Sequence, residues 1–310
     1  MSNQMTSPRA KDIAYVRFQV PDLDMIEAWL SDFGLARAAR TADTLYMKGG
    51  NGAPFAYVAH KGEPRFLGLG FDMGEDAMLG VLAAMTGVTP ATNAEPGGGK
   101  ILRLTDPDGF AMEAVVRPHA APETLPSRQK LNDARDKARL NAQSCPQGGP
   151  ARVWRLGHAV VNVTDFRKSE VWYKAHFGFL TSDEIELAPD MPLGAFLRCN
   201  QGTRPVDHHT LFLVGTGKPG FNHAAFEVID ADALLSGHHV MKEKGYNHAW
   251  GIGRHILGSQ IFDYWRDPFG FALEHWTDGD LFNEAHGSHK AKLDDLIGTH
   301  WGPTAPAHMA

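Results

Sequence analysis

The sequence predicts an α+β fold built from strand–helix–strand modules arranged in tandem, with two copies along the chain. Three observations carry this. First, the chain repeats itself. Val20-Pro21-Asp22-Leu23 returns as Val163-Thr164-Asp165-Phe166, the run Phe66-Leu67-Gly68-Leu69-Gly70-Phe71-Asp72 as Phe221-Asn222-His223-Ala224-Ala225-Phe226-Glu227, and Asp106-Pro107-Asp108-Gly109 as Asp267-Pro268-Phe269-Gly270. Second, each copy alternates short apolar runs of strand length with two segments of helical periodicity. Third, residues 117–151 differ in composition from both copies and separate them.

In order, residues 1–10 lack any periodic pattern and are expected to be disordered. A strand is predicted over 13–20, then a helix after Asp22 with Ile26, Trp29, Leu30 and Phe33 at helical spacing and a stop at Gly34. Strands follow over 44–48, 54–60 and 66–73, a helix from 75 to about 85, and strands over 100–104 and 111–116 around the turn 106–109. This first domain is assigned to 11–116, and 117–151 is read as a linker containing a helix over 127–143. The second domain, 152–278, starts with a strand over 153–163 and a helix capped by Asp165 and stopped by Gly178. Strands are expected over 179–187, 195–199, 209–214 and 221–228, then a helix capped by Asp230 with Leu234, Leu235, His238 and Met241 on one face. Residues 251–276 read as a strand, the turn 267–270 and a second strand. The tail, 279–310, is expected to be solvated, with the alternative that Leu281, Phe282 and Trp301 form a lid.

Of 310 residues, 43% are hydrophobic and 21% charged, which is ordinary for a globular protein. The formal charge of -6 and the lack of a basic block argue against nucleic acid as a partner. Neither an apolar leader nor a run of membrane-spanning length is visible. Cys145 and Cys199 cannot make a disulfide framework, which suits a reducing cytoplasm; Cys199 is expected to be an inert core thiol.

The compositional oddity is 16 histidines. His158 and His223 each sit in an apolar strand, and Glu274 lies in a third strand between apolar neighbours. A lone strand histidine is usually a hydrogen-bonded core residue, but a buried carboxylate is seldom left unpaired. Two histidines and one carboxylate on three strands make the ligand set of a non-haem iron site with open coordination positions. In the first copy the positions matching His158 and His223 hold Tyr15 and Gly68, and only Glu113 matches Glu274.

These residues resemble the vicinal oxygen chelate superfamily, and within it the two-domain type I extradiol ring-cleaving dioxygenases, over about residues 12–278. The resemblance implies paired βαβββ modules curled into an open barrel in each domain, with a metal-free, structural first domain. It implies that His158, His223 and Glu274 hold Fe(2+), with Mn(2+) as an alternative. It places the catalytic histidine at His209, fourteen residues before His223, with the adjoining His208 as the alternative, and a supporting pair at His255 and Tyr264. The substrates implied are O2 and a small aromatic diol, and the assembly a homo-oligomer. One departure is Asp263, where the family usually has an apolar residue; strand alternation puts it on the face opposite Tyr264. Phe196, Phe221, Trp250, His248 and Phe271 are the expected pocket residues, and Arg198 or Arg254 could pair an acidic substrate. His176, His238, His239 and His275 are expected to be structural or surface groups. A glyoxalase-type isomerase or lyase is the alternative on the same fold. A ligand-sequestering protein of the bleomycin-resistance kind would need no such triad. Whether the diol is monocyclic, bicyclic or trihydroxylated stays open.

Overall fold

The computed structural model describes residues 7–125, 130–143 and 148–306. The first half runs β1 (Asp12–Val20), α1 (Leu23–Phe33), β2 (Ala36–Arg40), β3 (Thr44–Lys48), β4 (Tyr57–Lys61), β5 (Arg65–Asp72), α2 (Asp76–Thr86), β6 (Ala91–Thr92), β7 (Lys100–Thr105) and β8 (Ala111–Val116). The second runs β9 (Val153–Val163), α3 (Phe166–Phe177), β10 (Leu180–Ala188), β11 (Met191–Arg198), β12 (Val206–Asp207), β13 (Leu211–Gly215), β14 (Gly220–Val228), α4 (Ala231–Glu243), β15 (Asn247–His255), β16 (Ile261–Arg266) and β17 (Ala272–Thr277). The tail adds β18 (Leu281–Phe282), β19 (His289–Lys292), α5 (Leu293–Ile297) and β20 (Thr299–Trp301).

The repeat seen in the sequence is a repeat in topology. The first sheet has the order β2-β3-β4-β1-β5-β8-β7-β6. The second keeps the same plan, β10-β11-β13-β9-β14-β17-β16-β15, with β19 and β20 of the tail added at its two edges. In each βαβββ module the first and last strands are parallel neighbours, as β9 is to β13 and β14 is to β17. Two such modules meet along an antiparallel pair, β1 with β5 and β9 with β14.

Local chemistry explains the helix ends. Asp22 Oδ1 accepts from the amides of Asp24 and Met25, and the Asp165 and Asp230 carboxylates cap α3 and α4 in the same way. Gly34 closes α1 with φ 109°, and a Cβ there would lie 1.8 Å from the Ala151 carbonyl oxygen, so no other residue fits. Helix α1 buries Ile26, Trp29, Leu30 and Phe33 as its periodicity predicts. On α4 the buried members are Leu234, Gly237 and Met241, while Leu235 is exposed, so the expected face is rotated.

Several expectations are corrected. The described part of the linker, including 130–143, contains no helix. Its residues are almost all exposed, Leu131 and Leu140 among them, so no apolar face supports one; 126–129 and Cys145 lie outside the described residues. Of residues 1–10, Pro8 and Ala10 are buried, and the Ala10 amide donates to the Phe177 carbonyl. Residues 1–6 lie outside the described part. The run 251–276 holds three strands rather than two, because residues 256–260 form a loop between β15 and β16. The tail is ordered into short elements instead of being solvated coil. No helix among the described residues is long and apolar enough to cross a membrane.

One core spans both halves. Phe18 and Phe66 of the first half pack against Phe221 and Phe271 of the second. His275 stacks on Phe33 and its Nε2 lies 2.6 Å from the Phe33 carbonyl oxygen, so Nε2–H donates there. Burial pushes the His275 imidazole down to about 4. Its folded value is thus below its unfolded one, so its contribution is complete above about pH 6.5 and lost as pH falls toward 4. Stability is expected to fall by up to about 1.4 kcal/mol per pH unit across that window through this group. Urea titrations at pH 7 and 4.5 check this: the loss should be smaller in His275→Gln, and an equal loss in both proteins would refute the assignment.

Candidate metal centre and surrounding cavity

Register builds the site. Ala225 of β14 pairs with His158 of β9 on one side and with Glu274 of β17 on the other. Tyr264 of β16 pairs with Glu274, and Trp250 of β15 with Tyr264. One row across five strands therefore carries His158, Ala225, Glu274, Tyr264 and Trp250, and residues opposed in a row share a face. His223, two residues before Ala225, joins the same face. The small Ala225 leaves room between the flanking side chains.

His158 Nε2 and His223 Nε2 each lie 3.4 Å from Glu274 Oε2. Glu274 is 0% exposed, and neither carboxylate oxygen has a hydrogen-bond partner. A buried anion without donors is costly. Burial would raise the Glu274 carboxyl, yet the imidazoles of His158, His255 and His223 facing it hold it below the usual carboxylate range. Burial also pushes His223 down to about 3, so its ring is neutral and able to act as a ligand. Its Nδ1 lies 2.9 Å from Asn222 Oδ1, an acceptor, which fixes the proton on Nδ1 and leaves the Nε2 lone pair toward Glu274. Two imidazoles around an unsatisfied carboxylate fit a divalent cation, and His158, His223 and Glu274 are the residues that would hold it.

The matching position in the first half shows the contrast. Glu113 accepts from Tyr15 Oη at 2.9 Å, from Arg17 Nη2 at 2.8 Å and from Arg103 Nε at 3.0 Å. There a guanidinium supplies the positive charge, and a Cβ on Gly70 would strike the Tyr15 ring at 2.4 Å.

A cavity of about 260 Å³ opens over the triad, lined by His158, His223, His209, His255 and Tyr264 with Phe196, Trp250 and mostly apolar neighbours. His209 packs 4.0 Å, centroid to centroid, from His158, and burial with the nearby imidazoles keeps it far below the usual histidine range. His255 Nε2 and Tyr264 Oη are 3.1 Å apart, and burial, then the Glu274 charge, pushes the Tyr264 phenol up. Five of the six residues expected at the metal and catalytic positions thus line one cavity, and the sixth, Glu274, lies buried 3.4 Å from two of them, His158 and His223.

Of the five expected pocket residues, Phe196 and Trp250 line the cavity. Phe221 and Phe271 do not; they sit in the aromatic cluster between the halves. His248 also lies elsewhere: with His238 and Trp265 it bonds Asp263 on the opposite face, at 2.8 Å, 3.0 Å and 2.6 Å. Asp263 is opposite Tyr264 as alternation requires. Its carboxylate, unlike that of Glu274, has three N–H donors, so its needs are met without an ion. Two β-bulges explain two of the misplaced residues, Phe221 and His248. The register shifts between Phe221 and His223 and between His248 and Trp250, and each shift moves the preceding side chain to the other face. The first also turns Asn222 toward the cavity.

Sequence reasoning missed Asn162, Asn222 and Gln260, which give the cavity its neutral polar groups, and missed how the tail contributes. Leu293, Leu296 and Ile297 of α5 and Ala305 line the cavity, and Trp250 Nε1 donates to the Pro303 carbonyl. Leu281 and Trp301 are exposed, so the residues expected as a lid are not the ones at the mouth. The only available signal was the apolar spacing Leu293, Leu296, Ile297.

Residues 155–275 match the profile of the Glyoxalase/Bleomycin resistance protein/Dioxygenase superfamily. Metapyrocatechase 2 of Cupriavidus necator is 27% identical over 302 residues, 96% of this chain and 90% of that protein. The Mn(II)-bound glyoxalase of Novosphingobium aromaticivorans superposes with a TM-score of 0.79 at 23% identity, covering 98% of this chain and 95% of that one. Homoprotocatechuate 2,3-dioxygenase of Arthrobacter globiformis gives 0.78 at 19% identity, over 99% and 92% of the two chains. At these identities the structural matches establish the fold, and the match to the metapyrocatechase extends along almost the whole chain. The segment that matches this superfamily, residues 155–275, is the one that carries His158, His223 and Glu274.

Proposed function

We propose that the protein is an extradiol ring-cleaving dioxygenase that opens a substituted catechol beside its hydroxyls, adding both atoms of O2. The observation that carries this is the unsatisfied, fully buried Glu274 carboxylate between two imidazoles, beneath a cavity that also presents His209, His255 and Tyr264. Similarity along nearly the whole chain to Metapyrocatechase 2 supports the same reading. The ligands would be His158, His223 and Glu274, and the metal iron, with manganese as the second choice. Bound there, the divalent metal supplies Lewis acidity and an electron path between diol and O2.

The chain's own residues supply the rest. His209, neutral and at the cavity wall, accepts a diol proton and later returns one. Tyr264 and His255, already hydrogen-bonded to each other, donate toward the diol oxygen and the charge that develops on it. The apolar walls exclude water from these groups. We assign catalysis to the second half and a structural role to the first, where Arg17 takes up the space and charge. We assign Leu293, Leu296 and Ile297 of α5, together with Ala305, the role of a lid.

The cavity wall also bears on the substrate. Arg198 is consumed by the carbonyls of Thr181, Asn283 and Gly287, and Arg254 by Asp278 and the Ser259 carbonyl. Neither lines the cavity, whose walls include Val160, Leu193, Phe212, Leu257 and Leu296. The ring substituent is therefore read as uncharged and apolar, since a buried carboxylate would find no partner.

Anaerobic reconstitution with iron(II) and an oxygen electrode test this against catechol, 3- and 4-methylcatechol, 2,3-dihydroxybiphenyl and 3,4-dihydroxyphenylacetate. Oxygen uptake with a yellow product is expected, with kcat/KM for the carboxylated diol at least about 100-fold below the best apolar one. Bound metal without uptake on any diol would overturn the reading in favour of an isomerase or lyase.

A further inference from the structure

The segment before β13 places two histidines side by side, and they have different surroundings. His209 lines the cavity, whereas His208 is 1% exposed and lies behind it. His208 Nε2 is 2.6 Å from Asp183 Oδ2, and His208 Nδ1 is 3.0 Å from His209 Nδ1. A carboxylate only accepts, so His208 Nε2 carries a proton. In a neutral ring Nδ1 is then an acceptor, and the proton between the two histidines belongs to His209 Nδ1. That leaves the other nitrogen of His209, Nε2, with its lone pair free.

We propose that Asp183 and His208 are positioning residues that fix His209 in its Nδ1–H tautomer and so hold its Nε2 ready as the base for the diol; the catalytic part of this rests on the dioxygenase reading above.

The surroundings hold the chain of bonds rigid. Ser182 Oγ donates to the His208 carbonyl at 2.6 Å, and the His208 amide donates to the Asp280 carbonyl at 2.9 Å. The rings of Phe196 and Phe282 each lie 5.2 Å from that of His208. Gly258, at φ 78°, leaves the last side open, because a Cβ there would be 3.2 Å from the His208 ring. Asp183 is held in turn by β10, which pairs with β19 at Asp183 and His289. The tail thus secures two members of the relay, His208 through Asp280 and Phe282 and Asp183 through β19. A purely structural buried histidine would need one acceptor and one donor from anywhere. Here both partners are spent on a line that ends at the cavity.

The test separates shape from polarity. In Asp183→Asn the carboxamide can donate to His208 Nε2, which reverses both tautomers. Its kcat is expected to fall about 100-fold, with KM and iron content within about twofold of the parent. His208→Gln can still accept from His209 and donate to Asp183, so it is expected to keep kcat within about tenfold, while His208→Phe loses as much as Asp183→Asn. Long-range proton–nitrogen correlation spectra of the zinc(II)-loaded protein read the tautomer directly. The parent is expected to show the His209 proton on Nδ1, and Asp183→Asn to move it to Nε2. A parent His209 protonated on Nε2, or equal kcat in His208→Gln and His208→Phe, would overturn the proposal. If the parent takes up no oxygen with any diol, the dioxygenase reading fails, and the spectra alone decide the tautomer.

Discussion

Glu274→Ala is expected to lose both the metal and the activity. Glu274 is the only anionic member of the triad, and its Oε2 is 3.4 Å from Nε2 of both histidines. Without it, two imidazoles remain, which hold a divalent ion far more weakly. Iron per chain should fall from about one to below about 0.1, and oxygen uptake by more than about 1,000-fold. Added iron(II) should raise the melting temperature of the parent and leave that of the variant unchanged, because only a ligand that binds the folded state stabilises it. This thermal readout does not depend on knowing the substrate. A variant that keeps full iron content and full activity would remove Glu274 from the site. The matching change in the first half makes the contrast. Glu113 is bound by Arg17, Arg103 and Tyr15, so Glu113→Ala would act on folding rather than on the metal.

His209→Asn is expected to have the second largest effect, of a different kind. The side chain touches the cavity and packs on His158, yet it is not one of the three groups that converge on one point. Removing it should leave iron content and KM near those of the parent. Loss of the group that takes up and returns a proton should lower kcat by roughly 100- to 10,000-fold. Steady-state oxygen uptake with parallel metal analysis checks both halves of this statement. A variant that loses its iron would make His209 a ligand, and one with unchanged kcat would give the proton transfer to another group. Asparagine preserves a polar contact toward His208, so the loss reports on the imidazole and not on a collapsed wall.

Much of this site was legible before any coordinates. His158, His223 and Glu274 are polar residues in apolar strands, and the repeat supplies a built-in comparison at Tyr15, Gly68 and Glu113. The helix ends were legible because Asp22, Asp165 and Asp230 cap amides only two or three residues away. What failed has identifiable causes. Phe221 and His248 were expected at the cavity from their nearness in sequence to His223 and Trp250, and a bulge beside each one puts it on the other face. The linker helix was expected from its charged composition, but helices of that size need an apolar face to pack, and residues 130–143 are almost all exposed. The tail carried too few apolar residues for a core, yet β19 and β20 gained strand partners at the two edges of the second sheet.

The sequence by itself determined the doubled architecture and singled out His158, His223 and Glu274, all in the second copy, as the proposed ligand set. These follow from periodicity, short-range capping and residue type, all of which are local or repeat along the chain. Only the tertiary structure decided that Glu274 has no donor while Glu113 has three, that Arg198 and Arg254 are used up away from the cavity, and that His208 links Asp183 to His209. Each of these is a matter of which distant group lies within about 3 Å of a polar atom. Such distances depend on strand register and on bulges that shift it by one residue, and the linear order of residues does not encode them locally.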